Sequence, residues 1–95
     1  MEAVLDVVEQ IPPGSVMTYG DVAVVVRRAL GRGGPRHVGA ALREAGAAVP
    51  WWRVVRASGL PAVHKVETAV SLLVVEGCPF STSERVDLRR ARVAP

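Results

Sequence analysis

The sequence predicts a mainly α-helical domain with short strands, organised around a helix-turn-helix. Three observations carry this. Apolar residues recur with the helical period in four stretches, at 2–11, 19–30, 35–45 and 66–76. Gly31-Arg32-Gly33-Gly34 separates the second stretch from the third, a turn followed by Pro35 at the favoured first position of a helix. Strand-like sequence is confined to a short β-branched pair after Pro50-Trp51-Trp52-Arg53. Ninety-five residues fit one domain with a single modest core, 1–95, with 81–95 expected as a loosely packed tail.

In the first helix Val4, Leu5, Val8 and Ile11 share a face, and Pro12-Pro13-Gly14 stops it. Ser15-Val16-Met17 reads as a connector. Thr18-Tyr19-Gly20-Asp21 fits a capping box, with Thr18 as N-cap and Asp21 three residues on. The second helix carries Val24-Val25-Val26, a run that suits a strand, yet Val22, Val25, Val26, Ala29 and Leu30 keep the helical period. In the third helix Val38, Ala41, Leu42 and Ala45 form a core stripe. Arg36, Gly39, Ala40 and Arg43 repeat the same spacing with almost no bulk between two arginines. Such a slim stripe admits either a nucleic-acid backbone or a neighbouring helix. A loop leads to the tryptophans and a short strand near 53–56; Ser58-Gly59-Leu60-Pro61 is a turn. The fourth helix, with Val66, Ala69, Val70, Leu73 and Val74 as its stripe, reads as largely buried and ends at Gly77. Beyond Pro79 the chain suits a short strand or an irregular arm, with Arg89, Arg90 and Arg92 solvated.

Charge is unevenly placed. Residues 1–26 carry Glu2, Asp6, Glu9 and Asp21 and no basic residue. Residues 27–56 carry seven arginines against Glu44 alone. Arginine pairs with phosphate through a planar fork and stacks on bases, so this segment suits nucleic acid; a solvated basic face is the plainer alternative. The longest apolar runs, around Val22–Val26 and Ala69–Val75, are far too short for a membrane span. Met1-Glu2-Ala3-Val4 lacks the basic start of a secretory signal, so a cytoplasmic protein is expected.

Catalytic chemistry finds little footing. Cys78 is the chain's one thiol, lies between Gly77 and Pro79, and reads as a small buried hydrophobe. His37 and His64 are too isolated for a metal site. Ser58, Ser71, Ser81 and Ser83 lack the strand-turn-helix setting of a nucleophile elbow. The 31–34 glycine turn lacks the Lys-Ser/Thr of a phosphate loop. No cofactor, metal or catalytic residue is expected; the residues favour binding over turnover.

One family resemblance spans about residues 1–79, with its motifs in order. Ile11-Pro12-Pro13-Gly14-Ser15-Val16-Met17-Thr18-Tyr19-Gly20-Asp21-Val22-Ala23 resembles the opening of the DNA-binding domain of alkylguanine-DNA alkyltransferases. Arg36-His37-Val38-Gly39-Ala40-Ala41-Leu42-Arg43 resembles that family's recognition helix. Pro50-Trp51-Trp52-Arg53-Val54 is similar to its Pro-Cys-His-Arg-Val active-site motif, and Leu72-Leu73-Val74-Val75-Glu76-Gly77 to its following helix and Glu-Gly end. The resemblance implies a winged helix-turn-helix-like domain, as in the C-terminal domain of those enzymes. It also implies that Trp51 stands where the family has its alkyl-accepting cysteine, and Trp52 where it has the activating histidine. A tryptophan at the cysteine position is similar to the alkyltransferase-like proteins, which bind alkylated guanine without repairing it and direct it to nucleotide excision repair. Many of those proteins keep the histidine, so Trp52 is a further departure.

The resemblance assigns DNA contacts to Thr18, Tyr19, Arg36, Gly39, Ala40 and Arg43, with minor-groove entry, Arg36 filling the gap of an extruded base and Tyr19 crowding a phosphate. It assigns the lesion pocket to Tyr19, Pro50, Trp51, Trp52, Arg53, Val54, Ser58 and Gly59. The implied partners are double-stranded DNA containing alkylated guanine and nucleotide excision repair proteins, met by a monomer at the nucleoid without a membrane. Two other readings stay open: a general helix-turn-helix regulator that flips no base, and a structural or interaction domain whose tryptophans are core.

Overall fold

A computed structural model describes residues 3–95, and for His64 the backbone alone. Helix α1 spans Ala3–Glu9, strand β1 Met17–Thr18, α2 Tyr19–Leu30, α3 Pro35–Ala45, β2 Val54–Val55, α4 Val66–Val75 and α5 Leu88–Ala91. Glu2 of the expected first helix lies outside the described residues. Among those residues, no helix is long and apolar enough to cross a membrane.

The valine run of α2 is helical because its ends are fixed. The Asp21 N–H donates to Thr18 Oγ1 at 3.0 Å and the Thr18 N–H donates to Asp21 Oδ2 at 3.2 Å, which completes the capping box. At the other end Gly31, with φ 73°, takes the left-handed conformation that closes the helix. Arg27 then donates to the Gly33 carbonyl at 2.9 Å, so one arginine of the basic segment ties the α2–α3 turn together.

β1 and β2 pair in parallel, Met17 opposite Val54 and Thr18 opposite Val55, with α2 and α3 forming the crossover. The expected connector at 15–17 is therefore partly strand. Adjacent strand residues face opposite ways and split the core in two. Met17 and Val54 face Val4, Val8, Val22, Val26, Val38 and Leu42 from the three N-terminal helices. Val16 and Val55 face Leu73, Cys78, Val86 and Ala91.

Two expectations change. The segment 81–95 is tied in: Val16 N–H donates to the Ala91 carbonyl at 3.0 Å, and Val93 N–H to the Val16 carbonyl at 2.8 Å. Phe80 bridges Val86, both Val86 and Ala91 are buried, and Arg92, exposed as expected, also pairs with buried Asp21. Helix α4 is the reverse case. It buries Ala69 and Leu73, but Val74 and Val75 are 58% and 84% exposed, because α4 packs chiefly on the Trp51–Arg53 turn and the described residues leave these two valines uncovered.

Candidate nucleic-acid interface and cavity

Val38 and Leu42 turn one face of α3 into the core, which leaves the slim stripe on the opposite side. Arg36, Ala40 and Arg43 are exposed and Gly39 is half-buried. A Cβ built at Gly39 would meet Arg43 Nη1 at 3.6 Å and Tyr19 Cε1 at 4.0 Å, ordinary contacts, so beside Gly39 the stripe meets its own Arg43 and the Tyr19 ring from the start of α2. The stripe faces outward. Tyr19, at the start of α2, stands beside it. Burial pushes its phenol above the usual range against the opposing pull of the Arg43 and Arg56 guanidiniums, so the hydroxyl stays a neutral donor. Thr18 is buried and its side chain is engaged in the cap, which sets where Tyr19 begins.

The tryptophans sit on a 3₁₀ turn, Trp51–Arg53, and the strand expected near 53–56 is confined to Val54–Val55. Trp51 lines an apolar cavity of about 270 Å³ with Leu42, Arg43, Gly46, Ala62 and Lys65. It also borders a wider groove of about 620 Å³ that includes Trp52, Lys65, Glu67 and Leu72. An apolar cavity of about 150 Å³ accepts a benzene ring, so the smaller space exceeds in volume what one ring needs. The Lys65 ammonium lies 5.4 Å from the centre of the Trp51 ring, a cation–π contact.

Trp52 braces its neighbour. The two rings meet edge to face, 5.9 Å apart at 88°. Trp52 Nε1 donates to Glu76 Oε2 at 3.1 Å, and the Arg53 guanidinium lies 5.4 Å from the Trp52 ring centre. Arg53 donates to both Glu76 oxygens and to the Ile11 carbonyl at 2.9 Å. Glu76 Oε1 also accepts from the Gly14 N–H at 3.4 Å. The Arg53 bonds hold the Glu76 carboxyl below the usual carboxylate range; burial opposes this, and Trp52 and Gly14 add to it. One carboxylate thus fixes the tryptophan turn to the Pro12–Gly14 turn and the end of α4.

The expected pocket is therefore narrowed. Trp51 and Trp52 line the cavities; Arg53 is turned away to Glu76 and Ile11, and Val54 is fully buried in the core. Pro50 precedes the turn and accepts from the Arg53 N–H at 3.1 Å. Ser58 is exposed, its hydroxyl accepting from the Leu60 N–H and its carbonyl from Arg85. Gly59 packs against Val86, where a Cβ would lie 2.7 Å from the carbonyl oxygen. Tyr19 stands by Gly39 and Arg43, outside the cavity lining. Sequence reasoning missed Lys65, the chain's one lysine, as well as Leu42, Gly46 and Ala62, because they come from separate elements.

Cys78 belongs to the second core cluster, and burial, with Glu76 adding, pushes its thiol up to about 11. It is a thiol at neutral pH. Among the described residues, no group of three metal-ligating side chains occurs.

A family model of the 6-O-methylguanine DNA methyltransferase DNA-binding domain matches residues 1–78. The chain is 33% identical over 93 residues to a DNA base-flipping protein of Vibrio parahaemolyticus, covering 94% of this chain and 90% of that one. It is 35% identical over 98 residues to the DNA base-flipping protein of Escherichia coli, covering 96% and 71%. Among solved structures, S. pombe Atl1 in complex with damaged DNA containing O6-carboxymethylguanine superposes with a TM-score of 0.78 at 28% identity, covering 98% of this chain and 93% of that one. S. pombe ATL in complex with DNA gives 0.77 at 28% identity, covering 97% and 92%. An outward slim helix, a tryptophan-lined cavity beside it and these matches together mean that the chain belongs to the family of the methyltransferase DNA-binding domain, as an alkyltransferase-like protein.

Proposed function

We propose that this protein recognises O6-alkylguanine in duplex DNA without chemistry, extruding the base and marking the site for nucleotide excision repair. The observation that carries the reading is Trp51, which lines the cavity next to the DNA-facing helix. Helix α3 enters the minor groove along Arg36, Gly39, Ala40 and Arg43. Arg36 fills the space left in the stack, and Tyr19 crowds the phosphate of the rotating nucleotide. The base then lies against Trp51, with Lys65 on the rim and Arg43 shared between groove and cavity. Alkylation at O6 weakens pairing with cytosine and lowers a flipping cost of a few kcal/mol. Contact with an aromatic ring returns about 1–3 kcal/mol, so a modest pairing defect decides which base is held.

No alkyl transfer accompanies binding. Trp51 offers no nucleophile, the Trp52 N–H is engaged by Glu76, and the Cys78 thiol is buried and protonated. Incubating the protein with excess O6-methylguanine duplex and weighing protein and DNA tests this. The expected result is a complex with both masses unchanged; a stoichiometric methyl gain by the protein, with guanine restored, overturns it.

A further inference from the structure

We propose that the cleft at the carboxyl ends of β1 and β2 is a second phosphate site, in which Arg89 grips the DNA backbone beyond the recognition helix. The proposal rests on the reading of α3 and Tyr19 as the DNA-facing surface. The cleft encloses about 330 Å³ between Thr18, Ala57, Leu88, Arg89 and Arg92. β1 ends at Thr18 and β2 at Val55, so both parallel strands open into it, and Tyr19 starts α2 on its border. Thr18, the residue before Tyr19, is part of its lining.

Its lining holds two arginines and no acid, and the two have different roles. Arg92 is consumed by Asp21, to which its Nε donates at 2.7 Å, so the buried carboxylate beside the cleft is neutralised. Asp87 caps α5 by accepting the Arg89 N–H at 3.1 Å. The Arg89 guanidinium is exposed and makes no hydrogen bond or ion pair with the described residues. The tail's backbone bonds to Val16 hold α5 in place, so this guanidinium is presented from a fixed element. A forked cation free of other partners among the described residues, over a cleft whose lining holds no acid, suits a phosphodiester oxygen.

The test titrates the full chain with an unmodified duplex and its O6-methylguanine counterpart between about 50 and 200 mM salt. Arg89→Ala should reduce the salt slope by about one on both duplexes, roughly a three- to fourfold change in affinity across that range. The ratio between the duplexes should stay the same. Arg90→Ala, an exposed neighbour of equal charge outside the cleft, should keep the wild-type slope, and so should Arg89→Lys. An unchanged slope in Arg89→Ala, or an equal drop in Arg90→Ala, overturns the proposal. Should Arg89→Ala melt early, Arg89→Gln is judged by the same slopes. A wild-type chain indifferent to the alkyl group would defeat the lesion reading while leaving the slope comparison on plain duplex intact.

Discussion

Trp51 has two surroundings that one substitution separates. Part of the ring packs on the N-terminal core cluster and part lines the cavity. Trp51→Ala should lose about 1–3 kcal/mol, roughly five- to a hundredfold, of affinity for alkylated duplex and almost none for plain duplex. A tryptophan that served only the core would instead cost about 3–5 kcal/mol of stability and impair both bindings together. Melting and paired titrations of this variant distinguish the two. Glu76 acts through the brace. Losing its charge-assisted bonds in Glu76→Gln should cost about 2 kcal/mol of stability and loosen the tryptophan turn. The carboxyls of Glu76 and Asp21 are both held low in the fold, by Arg53 and Arg92 respectively. Their stabilisation is fully present above the ordinary carboxylate range near about 4 and is lost as pH falls through the lowered folded values. Denaturant titrations below pH 5 or so should therefore show stability falling with acid, and falling less steeply in Glu76→Gln.

At the scale of elements, the proposed reading has α3 work by being thin. Ala40→Leu changes an exposed helical position and should alter stability by no more than about 0.5 kcal/mol. It should nevertheless weaken binding to both duplexes, because the added bulk holds the helix off the groove floor. A leucine variant that melts and binds as wild type would mean that α3 is not the inserted helix. Arg36→Ala should impair lesion binding far more than Arg28→Ala, since only the first leaves a gap in the base stack. Much of this was legible in sequence, because the signals are local. The 18–21 capping box, the glycine turn at 31–34 and the opposed stripes of α3 lie within a few residues of one another. β1 was not legible, since Met17 and Thr18 become strand only by pairing with Val54 and Val55. The exposed end of α4 was missed for a related reason: its apolar composition carries no information about whether a neighbour covers it. The same limit hid Lys65, which reaches the Trp51 ring from a different turn.

At the scale of the molecule, the proposed function divides the labour between charge and cavity. The arginine excess of 27–56 falls on the stretch of chain that includes α3 and the tryptophan turn. Affinity for any duplex should fall with salt as condensed counterions are released, equally for plain and alkylated DNA. Selectivity, which the proposed function assigns to the cavity, should be largely insensitive to salt. Lesion recognition as a whole is therefore tested most directly by titrating the intact wild-type chain with two duplexes that differ only in one O6-methyl group, at the same salt. The account predicts roughly five- to a hundredfold tighter binding to the alkylated duplex. Equal affinities would contradict it and leave a general helix-turn-helix DNA-binding domain.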